Sequence, residues 1–174
     1  MPNLVEVTYA RTGQSTTTNS AGMRDMQLRA YEARDAQYLL LKAPPASGKS
    51  RALMFIALDK LQNQGIKKVI VAVPEKSIAG SFAKTDLSSH GFFADWNPNP
   101  RYNLCTPGGE KSKVDGFLKF LASDEKILIC THSTLRFAFE ATEEIQFNDT
   151  LLAIDEFHHV SADKENNRLG ELIH

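Results

Sequence analysis

The residues with the most chemical content run Tyr38-Leu-Leu-Leu-Lys-Ala-Pro-Pro-Ala-Ser-Gly-Lys-Ser50. An apolar run enters a loop of small residues and prolines. The loop ends in Gly48-Lys49-Ser50, where helical periodicity begins. Backbone N–H groups from Ala46 through Ser47 to Ser50, together with the N-terminus of a helix, would form a concavity for an anion. Gly48 lets the backbone approach a phosphate, Lys49 brings a point charge to the β- and γ-phosphates, and the Ser50 hydroxyl is a ligand for Mg²⁺. The general phosphate-loop pattern asks for Gly at its first position, where this chain has Ala43. The competing reading is a surface turn with an ordinary lysine; the strand–loop–helix context favours the phosphate site.

A phosphate-transferring site needs an acidic partner at the end of a neighbouring strand. Leu151-Leu-Ala-Ile-Asp155-Glu156 has that form, and Asp155 lies 106 residues after Lys49. Asp155 would hold Mg²⁺ directly or through water, and Glu156 would orient and deprotonate the attacking water. Two adjacent carboxylates leaving a buried strand are otherwise hard to account for, since charges are placed there only when paired or metal-bound.

Four apolar runs must position these groups: Tyr38–Leu41, Val69–Val73, Ile127–Cys130 and Leu151–Ile154. Each is continuous rather than alternating, as strands of a parallel sheet covered on both faces are. Helical spacing fills the intervals. Leu53, Ile56, Ala57 and Leu61 share a face before a stop at Gly65, and Val114, Phe117, Leu118 and Leu121 repeat the pattern. Leu135, Ala138 and Phe139 follow, with Ser133 or Thr134 as the expected N-cap. Strand and helix in alternation predict an α/β fold with right-handed crossovers. Residues 11–22 are polar and read as a linker, while residues 85–109 are rich in turns. Phe92, Phe93 and Trp96 are expected to pack that second segment onto the body.

Composition bounds the function classes. The 174 residues are 42% apolar and 24% charged, with 20 basic against 21 acidic side chains, a net charge of −1. This is ordinary globular usage for about one domain, and it excludes polybasic tails, acidic disordered chains and low-complexity segments. A local phosphate-binding face is still compatible with it. Cys105 and Cys130 form no metal-ligand spacing and read as small buried hydrophobes in a reducing compartment. No signal peptide or membrane-spanning run is seen, which predicts a cytoplasmic protein.

Ala43–Ser50, APPASGKS, resembles the nucleotide-binding motif of superfamily two helicases, whose usual form APTGSGKT also begins with Ala. The unusual position is Ala46, where that family commonly has Gly. Asp155-Glu156-Phe157-His158 is similar to the DExH form of motif II, and the resemblance implies that His158 links the γ-phosphate site to the next motif. A metal pair made of His158 and His159 is disfavoured because adjacent residues seldom face one ion. Gln27, 22 residues before Lys49, matches the glutamine that reads adenine in many of these proteins. Val73-Pro74-Glu75-Lys76-Ser77 looks like motif Ia and Thr131-His132-Ser133-Thr134-Leu135 like motif Ib. By that resemblance Pro74, Lys76, Ser77, Thr131, Ser133 and Thr134 lie on a nucleic-acid face, where hydroxyls and helix N-termini meet backbone phosphates. A helix N-cap after a strand uses the same residue types and is the alternative for both.

The resemblance covers about residues 23–160 and is nearest in flavour to helicase subunits of restriction-type systems. It implies a P-loop NTPase (RecA-like) lobe over 23–174, preceded by a strand and linker in 1–22 and incomplete at the C-terminus. ATP and Mg²⁺ are the implied cofactors, and DNA or RNA the implied partner. A motif III strand and a second RecA-like lobe with arginine fingers are expected beyond His174. In this stretch alone another segment, a strand-swapped dimer or a rearranged sheet would fill the gap. The alternatives are a P-loop ATPase with no nucleic-acid role and a non-catalytic module with a degenerate loop.

Overall fold

A computed structural model describes residues 3–6 and 18–157. The expected linker therefore lies outside the described residues as far as position 17, as do His158 and His159. The elements run β1 (Asn3–Glu6), α1 (Asp25–Glu32), β2 (Leu39–Lys42), α2 (Lys49–Asn63), β3 (Lys68–Val73), α3 (Glu110–Leu121), β4 (Ile127–Thr131), α4 (His132–Glu140) and β5 (Thr150–Ile154). The four predicted strands are found within one residue of their apolar runs, and every strand pairing is parallel. β1 pairs with β2, Asn3 opposite Leu39, in a two-stranded sheet. The other sheet has the order β4-β3-β5, with Val69 of β3 opposite both Ile127 and Leu151. Two compact units result: one holds the chain as far as Gly65 together with Lys84–Asn97, the other Ile66–Ala83 and the chain from Pro98 onward.

In the first unit, Met26 and Ala30 of α1 meet Ala52 and Ile56 of α2, with Leu39 and Leu41 of β2 against them. The small side chains of Ala30 and Ala52 let the two helices approach closely. α2 stops where the sequence predicts, with Gln64 at its C-cap and Gly65 beyond it in the left-handed region at φ +72°. Lys84–Asn97 is closed by reciprocal backbone bonds between Thr85 and Trp96, and the Trp96 ring is fully buried. Phe92 packs edge-on against Phe55 and Tyr31, with centroids 4.7 and 5.9 Å away. Phe93 departs from the expectation. It lies against Phe92 but is 50% exposed, because one ring already fills the space beside Phe55.

A buried carboxylate also stabilises this unit. Asp59, 4% exposed, accepts from the Tyr31 hydroxyl (3.0 Å), the Asn63 amide (2.8 Å) and the Gln64 amide (2.9 Å). Arg34 pairs with it at 3.1 Å. Burial alone would raise its pKa, but the bonds from Gln64, Asn63 and Tyr31 and the Arg34 charge hold it below 3.8. The folded pKa is depressed, so this contribution to stability is present above pH 3.8 and is lost as pH falls through the folded value. Asp59→Ala should cost about 3 kcal/mol at neutral pH, because Arg34 is left with an unmatched charge. Urea denaturation followed by Trp96 fluorescence checks it: the deficit of the variant should narrow steadily below pH 4, and a deficit independent of pH would contradict the assignment.

In the second unit, β3 from Val69 onward and all of β4 are buried, as continuous apolar runs require, whereas β5 is half-buried. Phe117 and Phe120 of α3, with Leu135 and Ala138 of α4, cover Ile70, Leu128 and Cys130. Cys130 is the buried hydrophobe expected of it, while Cys105 is only partly buried. Lys68 reaches past the end of α3 and donates to the carbonyls of Phe120 (3.0 Å), Ser123 (2.6 Å) and Glu125 (2.9 Å), satisfying helix-end acceptors. α3 begins at Glu110, four residues ahead of Val114, through a polar first turn that carries no apolar period. The N-cap of α4 is Thr131, not Ser133 or Thr134. Its Oγ1 accepts from the Thr134 N–H at 3.2 Å, so the helix starts as soon as β4 ends. Among the described residues, no helix is long and apolar enough to cross a membrane.

Candidate functional site

β2 delivers the chain to Ala43 and α2 receives it at Lys49, so the loop between them starts at the carboxyl end of a parallel strand. Two of its residues have positive φ, Ala46 at +59° and Gly48 at +89°. Left-handed residues in such a turn direct successive N–H groups inward and make an anion nest. Ala46 adopts this conformation without being Gly, and its residue is exposed. For an L-residue that geometry costs roughly 1–2 kcal/mol, which is why Gly suits the position.

Gln27 lies behind the loop and is 2% exposed. Its Nε2 donates to the Gly48 carbonyl at 3.2 Å, and its Oε1 accepts from the Arg24 N–H at 2.8 Å. A Cβ at Gly48 would come 2.5 Å from that Nε2, so the Gln27 amide would have to leave the loop, and the backbone conformation itself favours glycine. Gln27 thus braces the loop across 21 residues of sequence. The Ser47 hydroxyl is buried and has no hydrogen-bond partner among the described residues. A buried hydroxyl without a partner costs about 1–3 kcal/mol, so its presence fits a ligand that supplies the missing bond. Lys49 and Ser50 open the first turn of the 15-residue α2, both half-buried.

In the second unit, the carboxyl ends of three parallel strands carry the remaining candidates. Pro74 is half-buried directly after β3 and Lys76 is exposed. Ser77 lies in the 3-10 turn Lys76–Phe82. Thr131 and Thr134 are buried, and Ser133 is exposed. Thr134, whose N–H is bound by the cap Thr131, donates its hydroxyl to Glu110 Oε2 at 3.4 Å, joining the starts of α3 and α4. Asp155 and Glu156 come directly after β5, both half-buried. The Asp155 N–H donates to the Ala72 carbonyl at 2.9 Å, which continues the β3–β5 ladder by one residue, and Glu156 then turns into the left-handed region at φ +52°.

Two side chains here receive no role from the sequence motifs, although His132 lies within the stretch that looks like motif Ib. His132 places Nε2 2.9 Å from the Asp155 carbonyl. A carbonyl only accepts, so Nε2 carries the proton. Lys113, on α3, is 4% exposed, and its Nζ has no hydrogen-bond partner among the described residues. Burial and the Lys76 ammonium beside it push the Lys113 pKa down, against the opposing pull of Glu110. Lys113 also lines a cleft of 290 Å³ with Arg101, Lys119 and the Gly108 loop. Burial, together with the three-dimensional approach of Lys76, gives Lys113 this character. Among the described residues, no group of three or more His, Cys, Asp or Glu is placed to hold a metal ion. Mg²⁺ bound chiefly by phosphates and water needs no such cage.

The DEAD/DEAH box helicase family model matches residues 24–174. The chain belongs to the DEAD/DEAH box helicase family. Its α/β architecture, with a parallel sheet flanked by helices, is that of the helicase lobe. Over 99% of its length it is 64% identical to the "Putative ATP-dependent helicase YeeB" of Bacillus subtilis (strain 168). Over 83% of its length it is 26% identical to the "ATP-dependent RNA helicase DHX58" of Mus musculus. The chain spans 28% of the first relative's length and 21% of the second's. No solved structure matches it.

Proposed function

We propose that this chain is the ATP-binding lobe of a helicase or translocase that couples ATP hydrolysis to movement on DNA or RNA in the intact protein. The observation that carries this reading is the loop Ala43–Ser50. Two left-handed residues there flank a buried hydroxyl with no hydrogen-bond partner among the described residues, at the start of a 15-residue helix, an arrangement suited to a nucleotide's phosphates. Ala46, Ser47 and Gly48 would present N–H groups, Lys49 the charge, and Ser50 with Asp155 the Mg²⁺ ligands. Bound Mg²⁺ would neutralise charge on the transferred phosphoryl group. Glu156 would take the proton from the attacking water, and His158 would connect the acidic loop to the next helicase motif. Gln27 would support the loop and offer its remaining N–H and lone pair to adenine. Residues 23–174 would form this lobe, with 1–22 as a leading strand and linker and a second lobe completing the ATP site.

On the second unit, Pro74, Lys76, Ser77, Thr131, Ser133 and Thr134 would face nucleic-acid phosphates. An ammonium held dry beside another ammonium is relieved when an anion enters between them, and this favours Lys113 as an added phosphate contact. Lys113→Met is therefore expected to stabilise the free protein by about 1 kcal/mol, through loss of an unmatched buried charge. The same change should weaken nucleic-acid binding about tenfold and lower the salt slope of binding by about one. Urea midpoints and binding isotherms at several salt concentrations check the two signs; lower stability with unchanged affinity would contradict this role.

The function itself is tested by ATP turnover of the intact protein with and without single- and double-stranded DNA and RNA. Stimulation by one of them is the expected result. Hydrolysis that no nucleic acid stimulates would favour the second reading, a P-loop ATPase without a nucleic-acid role. Absence of ATP–Mg²⁺ binding would overturn both.

A further inference from the structure

We propose that His132 is a positioning residue that links the Thr131–Thr134 segment to the acidic pair Asp155–Glu156, so that nucleic acid engaged at the first sets the second for hydrolysis. The inference rests on the function proposed above. Its physical basis lies in the backbone of the acidic loop. Glu156 is a non-glycine residue at φ +52°, a conformation that persists only where its surroundings hold it. The peptide leading into Glu156 carries the Asp155 carbonyl, which His132 Nε2 holds at 2.9 Å. On the other side of the same residue, the Asp155 N–H is fixed to Ala72 at 2.9 Å. A rotation about ψ of Asp155 would swing the carbonyl that His132 holds and carry the Cα of Glu156 with it. The imidazole therefore helps to fix the peptide from which Glu156 leaves the strand.

The other end of the link is equally local. His132 is the first residue of α4 and comes directly after the cap, Thr131. Thr131 Oγ1 accepts from the Thr134 N–H at 3.2 Å, and Thr134 Oγ1 donates to Glu110 at 3.4 Å. A displacement of this helix start would move the imidazole with it. The carbonyl bond then keeps or loses its geometry. The coupling runs through a named hydrogen-bond chain in one unit rather than through distance alone.

The test uses the intact protein and compares His132→Ala with His132→Gln, whose amide N–H can reach the same carbonyl. His132→Ala is expected to lower nucleic-acid-stimulated kcat about tenfold and to reduce the ratio of stimulated to basal turnover. The KM for ATP and the nucleic-acid Kd should stay within twofold. His132→Gln should recover at least half of the stimulation. Stimulation of wild type that persists unchanged in His132→Ala would overturn the inference and leave the function standing. So would a Gln variant no better than Ala with hydrogen-exchange protection of α4 lost in both, which marks a purely structural role. A wild-type protein that hydrolyses ATP but responds to no nucleic acid would overturn the underlying function, and the inference with it.

Discussion

Lys49→Ala is expected to reduce ATP hydrolysis by the intact protein about a thousandfold and to weaken ATP–Mg²⁺ binding at least tenfold. Lys49 is the first residue of α2, immediately after the left-handed Gly48. At that position its side chain adds a charge to a set of fixed N–H dipoles. Charge builds on the phosphoryl oxygens in the transition state, so a charge directed at them lowers the barrier more than it tightens ground-state binding. Removing one preorganised group of this kind costs about 3–4 kcal/mol. Alanine is a strong helix former, so α2 should persist and the effect should be confined to chemistry. Titration calorimetry with ATP–Mg²⁺, alongside turnover, checks the result. Unchanged turnover would show that Ala43–Ser50 is a structural turn and not a phosphate site.

Gly91→Ala is expected to be the most damaging single methyl in the first unit. Gly91 lies at φ +102°, closing the short turn Ser88–His90. A Cβ there would come 1.9 Å from the Ser20 carbonyl oxygen, which is backbone and has no rotamer with which to yield. Gly65 is the natural control, since it has a similar φ of +72° with nothing within 4 Å of an added Cβ. Gly65→Ala should cost only the left-handed penalty of about 1 kcal/mol. Gly91→Ala should cost about 3 kcal/mol or more, as other overpacked sites do. Peptide-resolved hydrogen exchange over residues 85–97 should then lose roughly a hundredfold in protection, at about 1.4 kcal/mol per decade. Equal losses for the two variants would mean that the close approach to Ser20 yields easily.

Much of the fold was legible because the sheet is parallel. Strands covered on both faces must be apolar throughout, so Val69–Val73 and Ile127–Cys130 were visible as unbroken runs and are buried throughout. Boundaries were less legible where polar residues begin a helix. The first turn of α3, Glu110 to Lys113, shows no apolar period. The cap of α4 was missed because Thr131, Ser133 and Thr134 all have cap chemistry, and only the geometry of the strand end selects Thr131. Phe93 was read as core because composition cannot tell which of two adjacent rings reaches the cavity.

The candidate site divides in the same way. Residue type and order alone picked out the candidate phosphate loop, the candidate acidic pair and the proposed class of chemistry, because that chemistry requires particular groups at particular places along a strand–loop–helix unit. Tertiary structure alone placed Gln27 behind Gly48 at a separation of 21 residues, and His132 beside Asp155 at a separation of 23. It also set Lys113 against Lys76 with no partner for its ammonium among the described residues. Each of these is a contact between residues distant in the chain, and its energy depends on burial and on an approach of a few ångströms. A linear pattern carries neither quantity. The order of residues could name the candidate groups for the proposed chemistry, and only the folded backbone could decide what holds them in place.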